Sequence, residues 1–448
     1  MEKRTFLKYS SALIGGAVFS PLLSWQQREK LMNWAGNIQY GTDQLYIPES
    51  VEQVTAFIKQ HSNLKVLGTR HCFNRIADSN QNLISLKSLN QVIELDPNKR
   101  RVTIQAGVTY GQLGPFLHDK GFALHNLASL PHISVVGACI TGTHGSGVTN
   151  GNLSTAVAAI EMITAEGDLV SLTREKDGEE FLGAVVNLGA LGVITQLTLE
   201  IQPTYMVRQD VYENLPLHQL QNHFDEILSS GYSVSLFTDW QTESFSELWI
   251  KTRVIKESAF ILGTEFFGAK AATRNLHPIE QLSAENCTAQ MGVPGPWYDR
   301  LPHFRMGFTP SSGKELQTEY FVPYHHGQEA ILAVFRLAKL LGPQLQISEI
   351  RTIAADNLWM SPCFEQPSMT IHFTWKPNWP EVRKLIPLVE KELEPFLPRP
   401  HWGKLFTLEV SKIRSRYVHL AAFQKLAMHY DPKGKFRNAF LNQQLFES

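Results

Sequence analysis

The chain has few of the features that assign a protein quickly. It holds 4 cysteines in 448 residues. Cys72, Cys139, Cys287 and Cys363 are scattered, with no CxxC pair and no zinc-ligand spacing, which argues against a disulfide framework and a structural metal. Charge of either sign is not in excess, with Lys+Arg 41 against Asp+Glu 42. A balance this even gives no electrostatic reason to expect nucleic acid or an anionic membrane as partner. GxGxxG between a strand and a helix is absent, and so is GxxxxGK[ST], which removes the dinucleotide fingerprint and the P-loop. There is no low-complexity tract, no acidic or basic tail and no internal repeat. What remains is a globular, enzyme-like composition, 43% apolar and 19% charged, on a chain too long for one ordinary core. Nothing in it fixes an oligomeric state.

Hydrophobic runs are also short. MEKRTFLKYSSALIGGAVFSPLLSW opens with basic residues and continues with a modest apolar run from about Ser11 to Trp25. A membrane span needs roughly 20 apolar residues, so residues 1–30 are expected to be an export signal, with an uncleaved N-terminal anchor as the alternative. KRTFLK resembles a twin-arginine signal with Lys3 at the first arginine position. The protein is then periplasmic or otherwise exported if this signal is used, and cytoplasmic if it is not.

Beyond the N-terminus the pattern divides. Ser50 caps a segment with Val51, Val54 and Ile58 at helical spacing, and KVLG then reads as a strand. QVIELDPNKRRVTIQAG reads as two strands about a DPNKRR turn, and AAIEMITAEGDLVSLT as a hairpin turning at Glu166-Gly167-Asp168. GVTYGQLGPFLHDKGFAL supplies a short helix ending at Gly121. Near Tyr205 the texture changes to longer, aromatic-rich strands, SVSLFTDW, ELWIKTRV, QTEYFVPY and MTIHFTW, mixed with helices such as GQEAILAVFRLAKLLG. The expected organisation is a first domain over 31–205, an α+β domain over 206–400 and a segment over 401–448 that folds back onto the first.

Two stretches carry chemistry. LGTRHCFN (67–74) ends a strand with His71 and Cys72 side by side, and alone it would be an ordinary loop. SLPHISVVGACITGTHGSG (129–147) packs Gly137, Gly142, Gly145 and Gly147 among Ser, Thr and His. Glycine removes the Cβ that blocks a close approach, so this stretch suits an anion or phosphate cradle, against the alternative of a tightly packed loop. Further along, EIR (349–351) places Glu349 and Arg351 on one face of a strand, and HFT (372–374) does the same for His372 and Thr374. Any one pair would suit a solvated sheet face. The set, flanked by apolar Ile350, Ile371, Phe373 and Trp375, suits a polar substrate pocket.

GTRHCFN followed by SLPHISVVGACITGTHGSG resembles the FAD-binding domain of the vanillyl-alcohol-oxidase type flavoproteins, and in particular the alditol (xylitol) oxidases. LGALGVITQLTLEI, NCTAQMGVPGPWYDRLPHFRMGFTPSSGKELQTEY, EIRTIAAD, RPHWGKLFT and DPKGKFRNAF extend the resemblance from Asn33 to the C-terminus. The fold it implies is α+β, a two-domain PCMH-type FAD-binding fold with an α+β substrate (cap) domain. It implies FAD carried covalently by His71, in a loop of Leu67, Gly68, Thr69, Arg70 and Cys72, with Arg70 and Cys72 where Gly and Ser are common. Arg70 would pair with the pyrophosphate or face solvent. Cys139 is displaced from the position of a second, cysteinyl bond, so one bond is expected. Ser129, Ser134, Gly137, Thr141, Gly142, Thr143, His144 and Ile194 would contact the cofactor, as would Thr374 and His401, and Ala128 is the candidate for the residue packing over the ring.

The implied reaction is oxidation of a polyol's terminal hydroxyl to an aldose, with O2 reduced to hydrogen peroxide. Arg351 and Lys404 would stabilise the alkoxide and the reduced flavin, and His372 is a possible base. Ser129, Gln317, Glu349, Arg351 and Lys404 would bind the substrate. The expected partners are a small polyol and O2, with no nucleic acid and no metal. Two alternatives stay open: an aldonolactone oxidase or dehydrogenase, and a non-catalytic flavin- or sugar-binding protein of the cell envelope.

Overall fold

The computed structural model describes residues 30–254, 263–307 and 315–447. The export-signal or anchor segment, residues 1–29, lies outside the described residues.

In the first part of the chain, Ser50 accepts a hydrogen bond from the Gln53 N–H and starts α1 (Val51–Gln60), which buries Val54 and Ile58. The short strand Lys65–Val66 lies in a parallel three-stranded sheet with Leu45–Tyr46 and Leu83–Ile84, and leads directly into GTRHCFN. β1 (Val92–Asp96) and β2 (Arg101–Gln105) flank the DPNKRR turn. β3 (Val157–Ile163) and β4 (Leu169–Thr173) flank Glu166-Gly167-Asp168. With β5 (Val193–Glu200) they form an antiparallel sheet in the order β1-β2-β5-β3-β4. α2 (Tyr110–Asp119) follows β2, and Gly121, at φ 85°, takes the left-handed turn after it. The glycine-rich stretch is partly helical: α3 (Val135–Ile140) buries Val135, Val136, Ala138 and Cys139.

The second sheet is larger. β6 (Met206–Pro216), β7 (Ser233–Thr238), β8 (Ser244–Arg253), β9 (Leu316–Pro323), β10 (Leu345–Ile353) and β11 (Ser368–Trp375) pair antiparallel in the order β6-β8-β7-β10-β11-β9. In β11 alternation sends Ile371, Phe373 and Trp375 into the core shared with helices Gly327–Phe335 and Trp379–Leu393. The opposite face carries Thr370, His372 and Thr374, and all three are buried. The register sets Phe237, Glu349, His372 and Glu319 side by side across β7, β10, β11 and β9. A row this polar is out of water because the first part of the chain covers it.

Residues 399–405 join the two parts. Arg399–Pro400 pairs with β9. The His401 N–H then donates to Glu319 O (3.0 Å) and the Leu405 N–H to Gln317 O (2.9 Å), while Gly403 O accepts from the Phe73 N–H (2.7 Å). Farther on, Lys435 O accepts from the Leu64 N–H and Phe436 O from the buried Lys65 ammonium. Among the described residues no helix is long and apolar enough to cross a membrane.

A second join lies at the end of β8. The Arg253 guanidinium sits between the rings of Tyr205 (3.8 Å) and Tyr232 (4.0 Å). It donates to the Tyr232 hydroxyl at 2.6 Å, and the Tyr205 hydroxyl donates to Leu124 O at 3.0 Å. Only a planar cation fills such a slot. Arg253→Lys is expected to cost about 1–2 kcal/mol, read as a lower melting temperature; an unchanged melt would show that the clamp contributes nothing.

Candidate active site

The loop that follows Lys65–Val66 turns through Arg70, which has φ 66°. That left-handed conformation is natural for glycine and costly for other residues, which accounts for glycine in the resembling loops. Arg70 adopts it with its side chain exposed and donating to Met32 O at 3.2 Å. The turn brings His71 into the cavity between the two parts of the chain. Trp34 stacks on the imidazole at 4.9 Å, and Nδ1 lies 3.2 Å from Thr69 Oγ1. Nε2 is buried and makes no hydrogen bond to the protein. Burial above all, with His132 and Lys404 adding to it, lowers the His71 pKa to about 3. The ring is therefore neutral, the form in which imidazole is a nucleophile.

The cavity wall carries glycine at Gly68, in the His71 loop itself, and at Gly137. A Cβ at Gly68 would meet Ser134 Oγ at 2.9 Å and one at Gly137 at 2.6 Å. Ser134, Thr141 and Thr143 add hydroxyls, and Thr141 Oγ1 donates to Gly137 O at 2.9 Å. An orphaned imidazole nitrogen, close-approach glycines and hydroxyl donors on one cavity fit a cofactor with a ring and a phosphate chain.

The other wall is the polar face of the large sheet. Arg351 is buried between two carboxylates, 2.9 Å from Glu319 and 3.5 Å from Glu349. One guanidinium nitrogen lies 3.4 Å from Ser129 Oγ. Burial raises the pKa of both carboxylates, but His144 and Arg351 at Glu319, and Arg351 and His303 at Glu349, outweigh it and hold both well below the usual range. The Lys404 ammonium donates to Gln317 Oε1 and lies 4.8 Å from the Phe73 ring centroid. Burial lowers its pKa. His372 and His401 are each lowered to about 3, by burial first, and are neutral. His144, Glu319 and His401 bring ligand-type atoms within 4.8 Å of one another. Glu319 Oε1 lies 3.1 Å from His144 Nε2 and carries the Arg351 guanidinium at 2.9 Å.

Leu67, Gly68, Thr69, Arg70, His71, Cys72, Ala128, Ser129, Ser134, Gly137, Thr141, Thr143, His144, Gln317, Glu349, Arg351, His372, Thr374, His401 and Lys404 all line this one cavity. Gly142 and Ile194 do not. Gly142 lies against Pro362, 2.9 Å from where its Cβ would stand, and Ile194 is buried in β5 opposite Met162. Cys139 is turned away too, with Sγ on Tyr110 and Leu153. Sequence reasoning missed Glu319 and His303. Glu319 had a signal, since alternation in LQTEYFVP puts it on the face of Gln317. His303 had none: it enters from the segment before β9 and meets Glu349 Oε1 at 2.6 Å.

These burials set a pH dependence of stability. His71, His372 and His401, at about 3, and His303, at about 4, titrate below the value of about 6.5 in an unfolded chain. Below about pH 6.5 the unfolded chain binds protons that these imidazoles refuse in the folded chain, so their contribution to stability is full above that pH and falls as pH drops. Glu319 and Glu349 add a further loss below about pH 4.3. The melting temperature should decline steadily from about pH 7 to about pH 4.5; a flat profile would mean that these imidazoles are not buried neutral.

Comparison with known proteins agrees with this geometry. Residues 42–173 match the FAD binding domain family and residues 309–444 the D-arabinono-1,4-lactone oxidase family. An alditol oxidase from a Streptomyces species is 44% identical over 417 residues, covering 92% of this chain and 98% of the relative. L-gulonolactone oxidase from Bos taurus is 24% identical with the same coverage. A solvent-stable cholesterol oxidase shares the fold at a TM-score of 0.74 and 16% identity, over 93% of this chain and 97% of its own. Cholesterol oxidase from B. sterolicum does so at 0.75 and 14%, over 93% and 96%. With an FAD-binding domain on one side of the cavity and a relative this similar along nearly its whole length, the chain belongs to the alditol oxidase family of vanillyl-alcohol-oxidase type FAD-dependent oxidoreductases.

Proposed function

We propose that the enzyme oxidises the terminal hydroxyl of an alditol such as xylitol or sorbitol to the aldose, with FAD tethered through His71 and O2 reduced to hydrogen peroxide. The observation that carries this reading is Arg351, a buried guanidinium pinned by two carboxylates beside Ser129, on the cavity that His71 also lines. The 44% identity to an alditol oxidase, against 24% for L-gulonolactone oxidase, supports a polyol over a lactone. Residues 31–205 and 401–448 would hold the cofactor and 206–400 the substrate. The basic, then apolar, N-terminus supports export.

FAD held by the His71 loop and the glycine-rich stretch would supply the hydride acceptor and the route for electrons to O2. The protein's task is to hold the hydroxyl while its proton leaves. Glu349, an ionised carboxylate, accepts hydrogen bonds from substrate hydroxyls. Arg351 keeps its charge, because Glu349 and Glu319 more than offset the burial that would lower its pKa, and its free N–H groups stabilise the forming alkoxide. Lys404 brings a second cation to that end, aimed by Gln317, whose amide is itself fixed by donating to Glu315. His372 is the neutral nitrogen base on the same face. Each such group left unpaired costs about 1–3 kcal/mol, so a simple monoalcohol should be a poor substrate.

The match of residues 309–444 to the D-arabinono-1,4-lactone oxidase family supports a second reading, an aldonolactone as substrate. Anaerobic mixing with xylitol or sorbitol decides between them. Bleaching of the flavin absorbance, with recovery and peroxide on admitting air, is the expected result. Bleaching by an aldonolactone alone would sink the alditol reading. Arg351→Ala and Lys404→Ala are expected to retain flavin and slow its reduction by about a hundred- to a thousand-fold; normal reduction in both would remove their catalytic role. His71→Ala should release its flavin on acid precipitation, whereas the native pellet stays yellow; a colourless native pellet would refute the covalent bond.

A further inference from the structure

Glu349 has a second support besides Arg351. His303 Nε2 lies 2.6 Å from Glu349 Oε1, and His303 Nδ1 lies 3.1 Å from Lys251 Nζ. Lys251 comes from β8, two strands away from Glu349 in the sheet, and is buried. Its amine also contacts Leu301 O at 2.5 Å and Pro302 O at 3.1 Å. Three acceptors surround a group with three protons, which is the arrangement an ammonium requires; burial lowers the Lys251 pKa to about 7, so the arrangement holds up to neutral pH. Because the ammonium donates to Nδ1, the ring's own proton must sit on Nε2, facing the carboxylate.

We infer that Lys251 is a positioning residue for substrate binding: through His303 it fixes an Nε2–H donor that holds Glu349 as an acceptor turned toward the substrate's hydroxyls. This rests on the reading of Glu349 as a substrate ligand. Buried Lys65 shows the contrast. Its three partners are Leu188 O, Gly189 O and Phe436 O, so it ties backbone segments together and steers no side chain. Lys251 spends one of its bonds on a side chain that touches the site.

The charged and titratable groups facing His303 are Lys251 from β8 and Glu349 and Arg351 from β10; the rings of Phe237, Trp249 and Phe304 pack against it, and it also lines the cavity. Glu349 favours a second proton on the ring, and Lys251 and Arg351 oppose it. Removing the lysine therefore frees Nδ1 to take a proton at acidic pH, when Nε2–H still faces Glu349. At higher pH the neutral ring is free to place its one proton on either nitrogen, and the donor to Glu349 is lost part of the time.

The test compares Lys251→Met with the native enzyme from about pH 5 to about pH 7, the range in which the native lysine keeps its proton. The ratio of the two KM values for the substrate should be near one at the acid end. It should rise to about ten or more at the neutral end, with kcat changed less than about three-fold. Adding His303→Gln, which keeps an N–H donor near the Nε2 position without needing Lys251, should bring the ratio down and remove its pH dependence. A ratio that stays near one at every pH, with only a lower melting temperature, would overturn the inference. Should Lys251→Met fail to fold, His303→Gln and His303→Leu in the native background decide: the first should keep KM and the second raise it, and equal KM values would overturn the inference. The assay uses whichever polyol or aldonolactone bleaches the native flavin, so failure of the alditol reading changes the substrate and not the expected ratio.

Discussion

The burial of one guanidinium between two carboxylates governs this structure. Taking an ion out of water costs several kcal/mol, and neither Glu319 nor Glu349 nor Arg351 would be tolerated alone on an interior face of a sheet. Together they share the cost, with His303 on one flank and His144, 3.1 Å from Glu319, on the other. The sheet thus has one face of Ile, Phe and Trp against helices and another that is charged yet dry. A dry face of this kind is where electrostatic stabilisation of an alkoxide is worth most.

The same charges lie on the seam between the two parts of the chain. Ser129 and His144 belong to the glycine-rich stretch and reach Arg351 and Glu319 on the sheet. The Gly147 N–H donates to Thr352 O at 2.8 Å, joining the end of that stretch to β10. The contacts that hold the halves together are therefore the contacts that shape the cavity. Substitutions at the seam should be hard to sort into structural and catalytic effects without separate readouts of flavin content and reduction rate.

What the sequence disclosed follows from the range of its signals. Alternation acts over a few residues, so EIR and HFT could be read as a polar strand face, and the hairpins about DPNKRR and Glu166-Gly167-Asp168 had turns that mark themselves. The same alternation in LQTEYFVP puts Glu319 on the face of Gln317. His303 and Lys251 were beyond reach of any local pattern. Their meaning lies in a meeting between a segment without regular structure and a strand fifty residues earlier. Gly142 and Ile194 lie off the cavity lining: the Cβ direction of one faces Pro362, and the other pairs with Met162. Motif membership follows sequence adjacency, and a cavity follows side-chain direction.

The clasp formed by residues 399–405 has a consequence for biosynthesis. The Asn74 side-chain amide donates to Trp402 O across a separation of 328 residues, and to Lys404 O beside it. A chain emerging from the ribosome makes the His71 loop early and the strand that closes it late. In the interval the loop has no Gly403 to hold Phe73, no Lys404 and no backbone partner for the edge of β9. The cavity is therefore completed only when nearly all of the chain is in place.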